Sequence, residues 1–204
     1  MTTESTFRIA FVLLLVGLFA MRFYYMIEVR RSGGRLMPDK KAVAREGGRG
    51  VLLIRVVGFF ALMTFLVMYI IGMAWIDLFF FSLPAWLRWV GFALGLITVA
   101  FWTWTHITLD TQWSAHLQLT KNHHLVTTGP YAWLRHPLYA GLFGWSLSLA
   151  LLTANWIFVA VCLLAFAGLL WRIPKEEHML LEAFGDEYKA YMQHTGRFFP
   201  RLRK

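Results

Sequence analysis

Two groups of polar residues stand out in a chain that is otherwise apolar. The first runs from His123, His124, Leu125 and Val126 through Thr127, Thr128, Gly129, Pro130 and Tyr131 to His136, Pro137, Leu138 and Tyr139. The second is Arg172, Glu176 and Glu177, set around Pro174. An arginine is permanently charged and can grip a carboxylate bidentately, whereas a glutamate accepts charge-assisted hydrogen bonds from an ammonium group. Each residue also has a plain structural reading: surface-loop histidines, a helix cap at His136, an interfacial aromatic at Tyr139, an ion pair of Arg172 with Glu176, and a solvated helix start at Glu177. Pro137 is suited to a first helical position, which would hold His136 at the N-cap and Tyr139 one turn in. Arg172 and Glu176 are four apart and share a face only if the chain stays helical through Pro174; otherwise they meet through a bend.

These groups sit at the ends of apolar runs. A hydrophobic content of 58% and a mean hydropathy of +0.55 over 204 residues do not fit an ordinary soluble domain. Runs of about 20 apolar residues, enough to cross a hydrocarbon core about 30 Å thick, recur along the chain. The pattern predicts an all-α, polytopic transmembrane bundle of about five spans, near 7–29, 52–76, 86–108, 137–153 and 155–172. The last two form a tight hairpin turning at Thr153, Ala154 and Asn155. The first run is too long for a cleaved leader and ends in Glu28, Arg30 and Arg31, so it reads as a retained span. After Arg172, Pro174 is expected to open a new element, and Met179, Leu180, Ala183, Phe184, Tyr188 and Tyr191 alternate with charges as in amphipathic helices, broken at Gly185. The expected organisation is one integral-membrane domain, 1–204, with three spans and a basic loop at 30–50 in its first part, 1–109. The second part, 110–204, carries the polar groups and the membrane hairpin 137–172.

The net charge of +9 would suggest nucleic acid in a soluble protein, but here the basic residues cluster at span ends, as topology signals do. With the 30–50 loop cytoplasmic, 16 of the 20 Lys and Arg fall inside, the N-terminus lies outside and the C-terminus inside. Trp75, Trp86 and Trp89 then fit an aromatic belt at the outer interface. The basic loop could also bind lipid head groups. The one cysteine, Cys162, excludes an intramolecular disulfide and a metal site built on paired thiolates.

The order H-x-L-V-T-x-G-x-Y-A-W-x-R-H-P-x-Y-x-G, then R-x-x-x-E-E, F-G-x-E-Y and a Y before a final R-x-x-P, resembles the isoprenylcysteine carboxyl methyltransferase family and its prokaryotic and phospholipid-methylating relatives, over nearly half the chain, 113–200. The resemblance implies S-adenosylmethionine as cofactor and no metal. It places the adenosine part against His123, His124, Leu125 and Val126, and the rest of the cofactor pocket at Tyr131, His136, Pro137, Leu138 and Tyr139. It sets Glu176, with Glu177 beside it, near the cofactor, and Arg172 near the reacting substrate. A glutamine used upstream by some relatives corresponds to His116 here.

The partners so implied are an apolar or lipid-like methyl acceptor and the membrane lipids, in a bacterial-type inner membrane with the site facing the cytoplasm. An acceptor carboxylate needs no general base, and Arg172 would orient it, which favours O-methylation of an isoprenylcysteine-like acid. Phospholipid amine N-methylation is the second enzyme reading, a sterol-type reductase a more distant one, and a non-catalytic lipid-binding membrane protein the reading of another class. Trp102, Trp104 and His106 on the third span read as packing or as the wall of a lipid tunnel, and Arg135 as a topological anchor or a functional cation.

Overall fold

A computed structural model describes residues 3–31, 40–109 and 124–201. They fold as α1 (Thr3–Arg31), α2 (Lys40–Arg45), α3 (Gly48–Ile71), α4 (Ala74–Asp77), α5 (Ala85–Leu109), a 3-10 turn (Gly129–Ala132), α6 (Pro137–Thr153) and α7 (Trp156–His194). Helices α1, α3, α5 and α7 are long and apolar enough to cross a membrane, and α6 is a shorter apolar helix of 17 residues. At 1.5 Å per residue α6 covers about 25 Å, somewhat less than a hydrocarbon core. Large apolar side chains stay bare on the outside of the bundle, with Ile54 70% and Leu164 73% exposed, as lipid-facing positions should be. The all-α polytopic bundle expected from hydropathy is the fold observed.

The boundaries differ from the sequence reading in two instructive places. The second span was expected to reach residue 76, but α3 stops where Gly72 turns left-handed at φ 75°. There the Gly72 and Met73 N–H groups donate back to the Tyr69 and Met68 carbonyls at 3.2 and 3.1 Å. The second correction is Pro174, which does not open a new element. Helix α7 passes through it and runs on to His194, the one non-helical residue inside being Gly185 at φ 52°. An interior proline removes one helical hydrogen bond. Burial of Ile173 just before Pro174 and of Glu177 and Met179 beyond it offsets that loss by packing.

Two clusters tie the bundle together at the end opposite the basic loop. Phe7, Phe11, Leu14, Tyr69, Leu152 and Phe158 form a core in which the Phe11, Tyr69 and Phe158 rings meet edge-on. Above it, Arg88 pairs with Glu4 and also donates to the Leu152 carbonyl at 2.9 Å, while Arg8 pairs with Asp77 at 2.9 Å. The α6–α7 hairpin turns at Ala154 and Asn155, and Asn155 caps α7 by accepting from the Ile157 N–H at 2.9 Å.

Helices α5 and α6 pack closely because small residues face each other. Gly91 and Gly95 on α5 meet Ser148 on α6, whose hydroxyl donates to the Gly91 carbonyl at 2.7 Å. A Cβ on Gly91 would lie 2.7 Å from Leu151 Cβ and from the Leu152 backbone nitrogen. Gly91→Ala is therefore expected to cost about 1–3 kcal/mol by overpacking. Gly168→Ala, with no atom within 4 Å of the added carbon, is expected to gain about 0.5–1 kcal/mol from helix propensity. Thermal unfolding of the two variants in detergent checks the contrast.

Candidate functional site

The same close packing sets the position of the first turn of α6. The Trp102 indole of α5 donates to the Leu138 carbonyl at 2.9 Å and lies over Gly141, where a Cβ would come within 2.2 Å of the indole nitrogen. Pro137 stands at the start of α6 and His136 is its N-cap residue, as the sequence predicts. Because α7 continues through Pro174, its Arg172, Glu176 and Glu177 arrive beside that first turn on an uninterrupted helix. Of the two geometries open from sequence, the shared helical face is the one observed.

Tyr139 joins the two polar groups. Its hydroxyl donates to Glu176 Oε2 at 2.5 Å and accepts from Arg172 Nε at 3.0 Å. Its ring stacks on the His136 imidazole, with centroids 5.4 Å apart and planes 20° apart. His136 Nδ1 lies 4.0 Å from Glu176 Oε1. Arg172 Nη1 reaches Glu46 Oε1 at 3.3 Å, so a residue of the first basic loop also enters the cluster. Tyr131 is buried nearby; burial, followed by the negative charge of Glu176, raises its phenol above the usual range.

The two adjacent glutamates stand in different surroundings. The Glu176 side chain is 26% exposed, whereas that of Glu177 is 6% exposed. Glu177 Oε1 lies 3.1 Å from Arg135 Nε and 3.3 Å from His136 Nε2, and Arg197 Nη2 donates to its Oε2 at 2.6 Å. These bonds lock the chain after α7 against the entry to α6. There the Arg135 and His136 N–H groups donate to the Gly196 and Arg197 carbonyls at 2.8 and 3.1 Å, and the Tyr191 hydroxyl donates to the Tyr131 and Leu134 carbonyls. Arg135 Nη1 adds bonds to the Met192 and Thr195 carbonyls at 3.0 and 2.6 Å.

Burial acts to raise the Glu177 carboxyl, but hydrogen bonds from His136 and Arg197 outweigh it and hold the group at about 2 against an ordinary 4.5. A depressed folded-state value means stabilisation that is complete above pH 4.5 and lost as the pH falls toward 2. Thermal unfolding followed over that window should show a steeper loss for the wild type than for Glu177→Gln, which has no proton to take up.

Tyr131, His136, Tyr139, Arg172, Glu176 and Glu177 are thus brought together, with Pro137 and Leu138 forming the turn beneath them. His124, exposed, and Leu125 and Val126, half-buried, lie on the irregular segment that leads into the 3-10 turn. His116 and His123 lie outside the described residues. Glu46 was not singled out from sequence, and Arg197 and Tyr191 entered only as motif or apolar-face positions without a role at the site. The available signal for Glu46 was an acid set among the cations of the 30–50 loop, and for Tyr191 a helical position on the apolar face after Pro174. Arg135, open between anchor and functional cation, is a fold-bracing residue. Among the described residues no group of three or more His, Cys, Asp or Glu could hold a metal ion.

Comparison with known proteins gives a consistent result. The sequence model of the isoprenylcysteine carboxyl methyltransferase (ICMT) family matches residues 89–182. A protein-S-isoprenylcysteine O-methyltransferase of Tribolium castaneum is 40% identical over 86 residues, 40% of this chain and 29% of that protein. The human protein of the same name is 34% identical over 89 residues, 41% of this chain and 30% of the relative. The nickel-cobalt-cadmium resistance protein NccN of Alcaligenes xylosoxydans xylosoxydans is 36% identical over 109 residues, 53% of this chain and 51% of that one. These matches cover about half or less of each relative's length. The solved structure of the eukaryotic intramembrane Ras methyltransferase ICMT shares the fold, with a TM-score of 0.52 and 21% identity over 92% of this chain and 66% of that one.

Proposed function

We propose, for a chain whose residues 89–182 belong to the isoprenylcysteine carboxyl methyltransferase family, that it methylates the carboxylate of an apolar, prenylcysteine-like acceptor drawn from the bilayer, using S-adenosylmethionine. The observation that carries this reading is the Tyr139 hydroxyl, bonded at once to Arg172 and to Glu176 at the mouth of α6 and α7. The residues fit the cofactor chemically. Glu176 is the accessible carboxylate of the pair and suits an ammonium group, and the stacked His136 and Tyr139 rings offer aromatic faces to a cation. S-adenosylmethionine, when bound, supplies a methyl group already activated on a sulfonium.

The remaining work of the protein is alignment and exclusion of water. Arg172, held at Nε by Tyr139, orients the acceptor carboxylate, which is ionised at neutral pH and requires no base. Tyr139 couples the two halves of the site, since one hydroxyl fixes both the arginine and the glutamate. Glu177 takes no direct part and braces the loop that carries His136. Residues 110–204 carry the site, and the first three spans support it and face the lipid. The enrichment of cations at the site end supports a cytoplasmic site, an outer N-terminus and residence in a bacterial cell membrane.

Calorimetry with purified protein tests the donor site. Wild type should bind S-adenosylmethionine, and Glu176→Ala should bind it about 10- to 100-fold more weakly, the worth of one hydrogen bond to a charged group. A wild-type protein that gives no binding signal, confirmed by thermal shift, contradicts the proposal.

A further inference from the structure

The geometry points to Glu46, outside the segment that matches the family, as the positioning residue that holds Arg172 in place. This rests on the reading of Arg172 as the anchor of the acceptor carboxylate. Glu46 follows α2 in the basic loop, yet it is only 2% exposed. Its two oxygens serve two arginines: Oε1 accepts from Arg172 Nη1 at 3.3 Å, and Oε2 pairs with Arg55 on α3. The turn that carries it is fitted to α7. Gly47 is left-handed at φ 106°, and a Cβ there would lie 2.9 Å from both Trp171 Cη2 and Val51 Cγ2, so the backbone rests on the residue preceding Arg172. Farther along α7, Arg45 approaches Glu182 at 3.9 Å.

Burying a carboxylate is costly unless it is paired, and topology alone gives no reason to carry an acid inward from a loop of cations. A long arginine at the edge of a bilayer tends to extend toward the head groups. Here Tyr139 takes Nε and Glu46 takes Nη1, which fixes the plane of the guanidinium from two directions. Arg55 shares the Glu46 carboxylate, so Arg172 is positioned without surrendering all of its charge to that partner. The Glu46–Gly47 turn thereby sets the seat of the acceptor through Arg172.

The test uses the full chain in nanodiscs, with S-adenosylmethionine and an S-farnesylated cysteine as the probes. Glu46→Gln should lower kcat/KM for the acid by about 10- to 100-fold, the cost of a misplaced orienting group, while the Kd for S-adenosylmethionine stays within about twofold. Glu46→Asp, which restores the charge on a shorter stem, should recover part of the loss. In an Arg172→Lys background, Glu46→Gln should remove less than about twofold more, because residues acting through one contact are not additive. An unchanged kcat/KM in Glu46→Gln, an additive loss in the double variant, or a parallel collapse of donor binding overturns the assignment. Absence of methyl transfer by the wild type overturns the functional reading and the role of Glu46 together; wild-type transfer with an unaffected Glu46→Gln overturns the role of Glu46 alone.

Discussion

Arg172→Ala should reduce methyl transfer by at least about 10²-fold while leaving the Kd for S-adenosylmethionine within a few-fold of wild type. The asymmetry follows from the two sides of Tyr139. Its hydroxyl donates to Glu176 and accepts from Arg172, so loss of the arginine removes the group that would face the acceptor and leaves the bond to Glu176 intact. Arg172→Lys should be nearly as deficient, because an ammonium cannot reproduce a planar fork held at Nε and Nη1. Single-turnover rates together with donor titrations separate the two quantities. Full turnover by the alanine variant would assign Arg172 to structure only and favour a non-catalytic or differently organised site.

The second large effect concerns stability. Glu177→Ala leaves Arg135 and His136, with side chains 10% and 2% exposed, beside a lost carboxylate, and breaks the clasp with Arg197. Removing one partner of a buried ion network costs about 3–5 kcal/mol. For a domain of this size that corresponds to a fall in Tm of about 6–20 °C. The exposed pair of Lys189 with Asp186 provides the contrast, since Lys189→Ala should leave Tm unmoved. Glu177→Gln should fall between wild type and alanine, keeping shape and some hydrogen bonding without the charge. A Tm for Glu177→Ala equal to that of wild type would mean that the loop before α6 is held by Tyr191, the Arg135 bonds to the Met192 and Thr195 carbonyls and the backbone bonds without Glu177.

The apolar helices and the hairpin turn were legible in the sequence because hydropathy and a turn of three residues leave few arrangements in a bilayer. Of the five expected spans, four are long enough to cross and α6 is shorter. Gly72 ended α3 earlier than the apolar run suggested, since a left-handed cap can halt a helix inside hydrophobic sequence. Pro174 misled in the other direction. The cost of an interior proline is a local quantity, and it was outweighed by the burial of Ile173 and Met179, which only the tertiary structure supplies. At the site, a common face for Arg172 and Glu176 was one of the two arrangements their spacing allowed, but the hydroxyl that links them comes from another helix. The contrast between Glu176 and Glu177 was not readable either, because adjacent residues on a helix point in different directions and only burial separates them. Glu46 was hidden by its company: a loop of cations carries a topology signal strong enough to mask one acid with a different task.

The most direct test of the central claim is methyl transfer itself. Purified protein in nanodiscs is incubated with S-adenosylmethionine labelled in its methyl group and with an S-farnesylated cysteine, and the labelled product is treated with base. The account predicts label in the acid that base releases as methanol, as a methyl ester requires. Label that resists base in an amine lipid, or no incorporation by a protein that binds the donor, would contradict it.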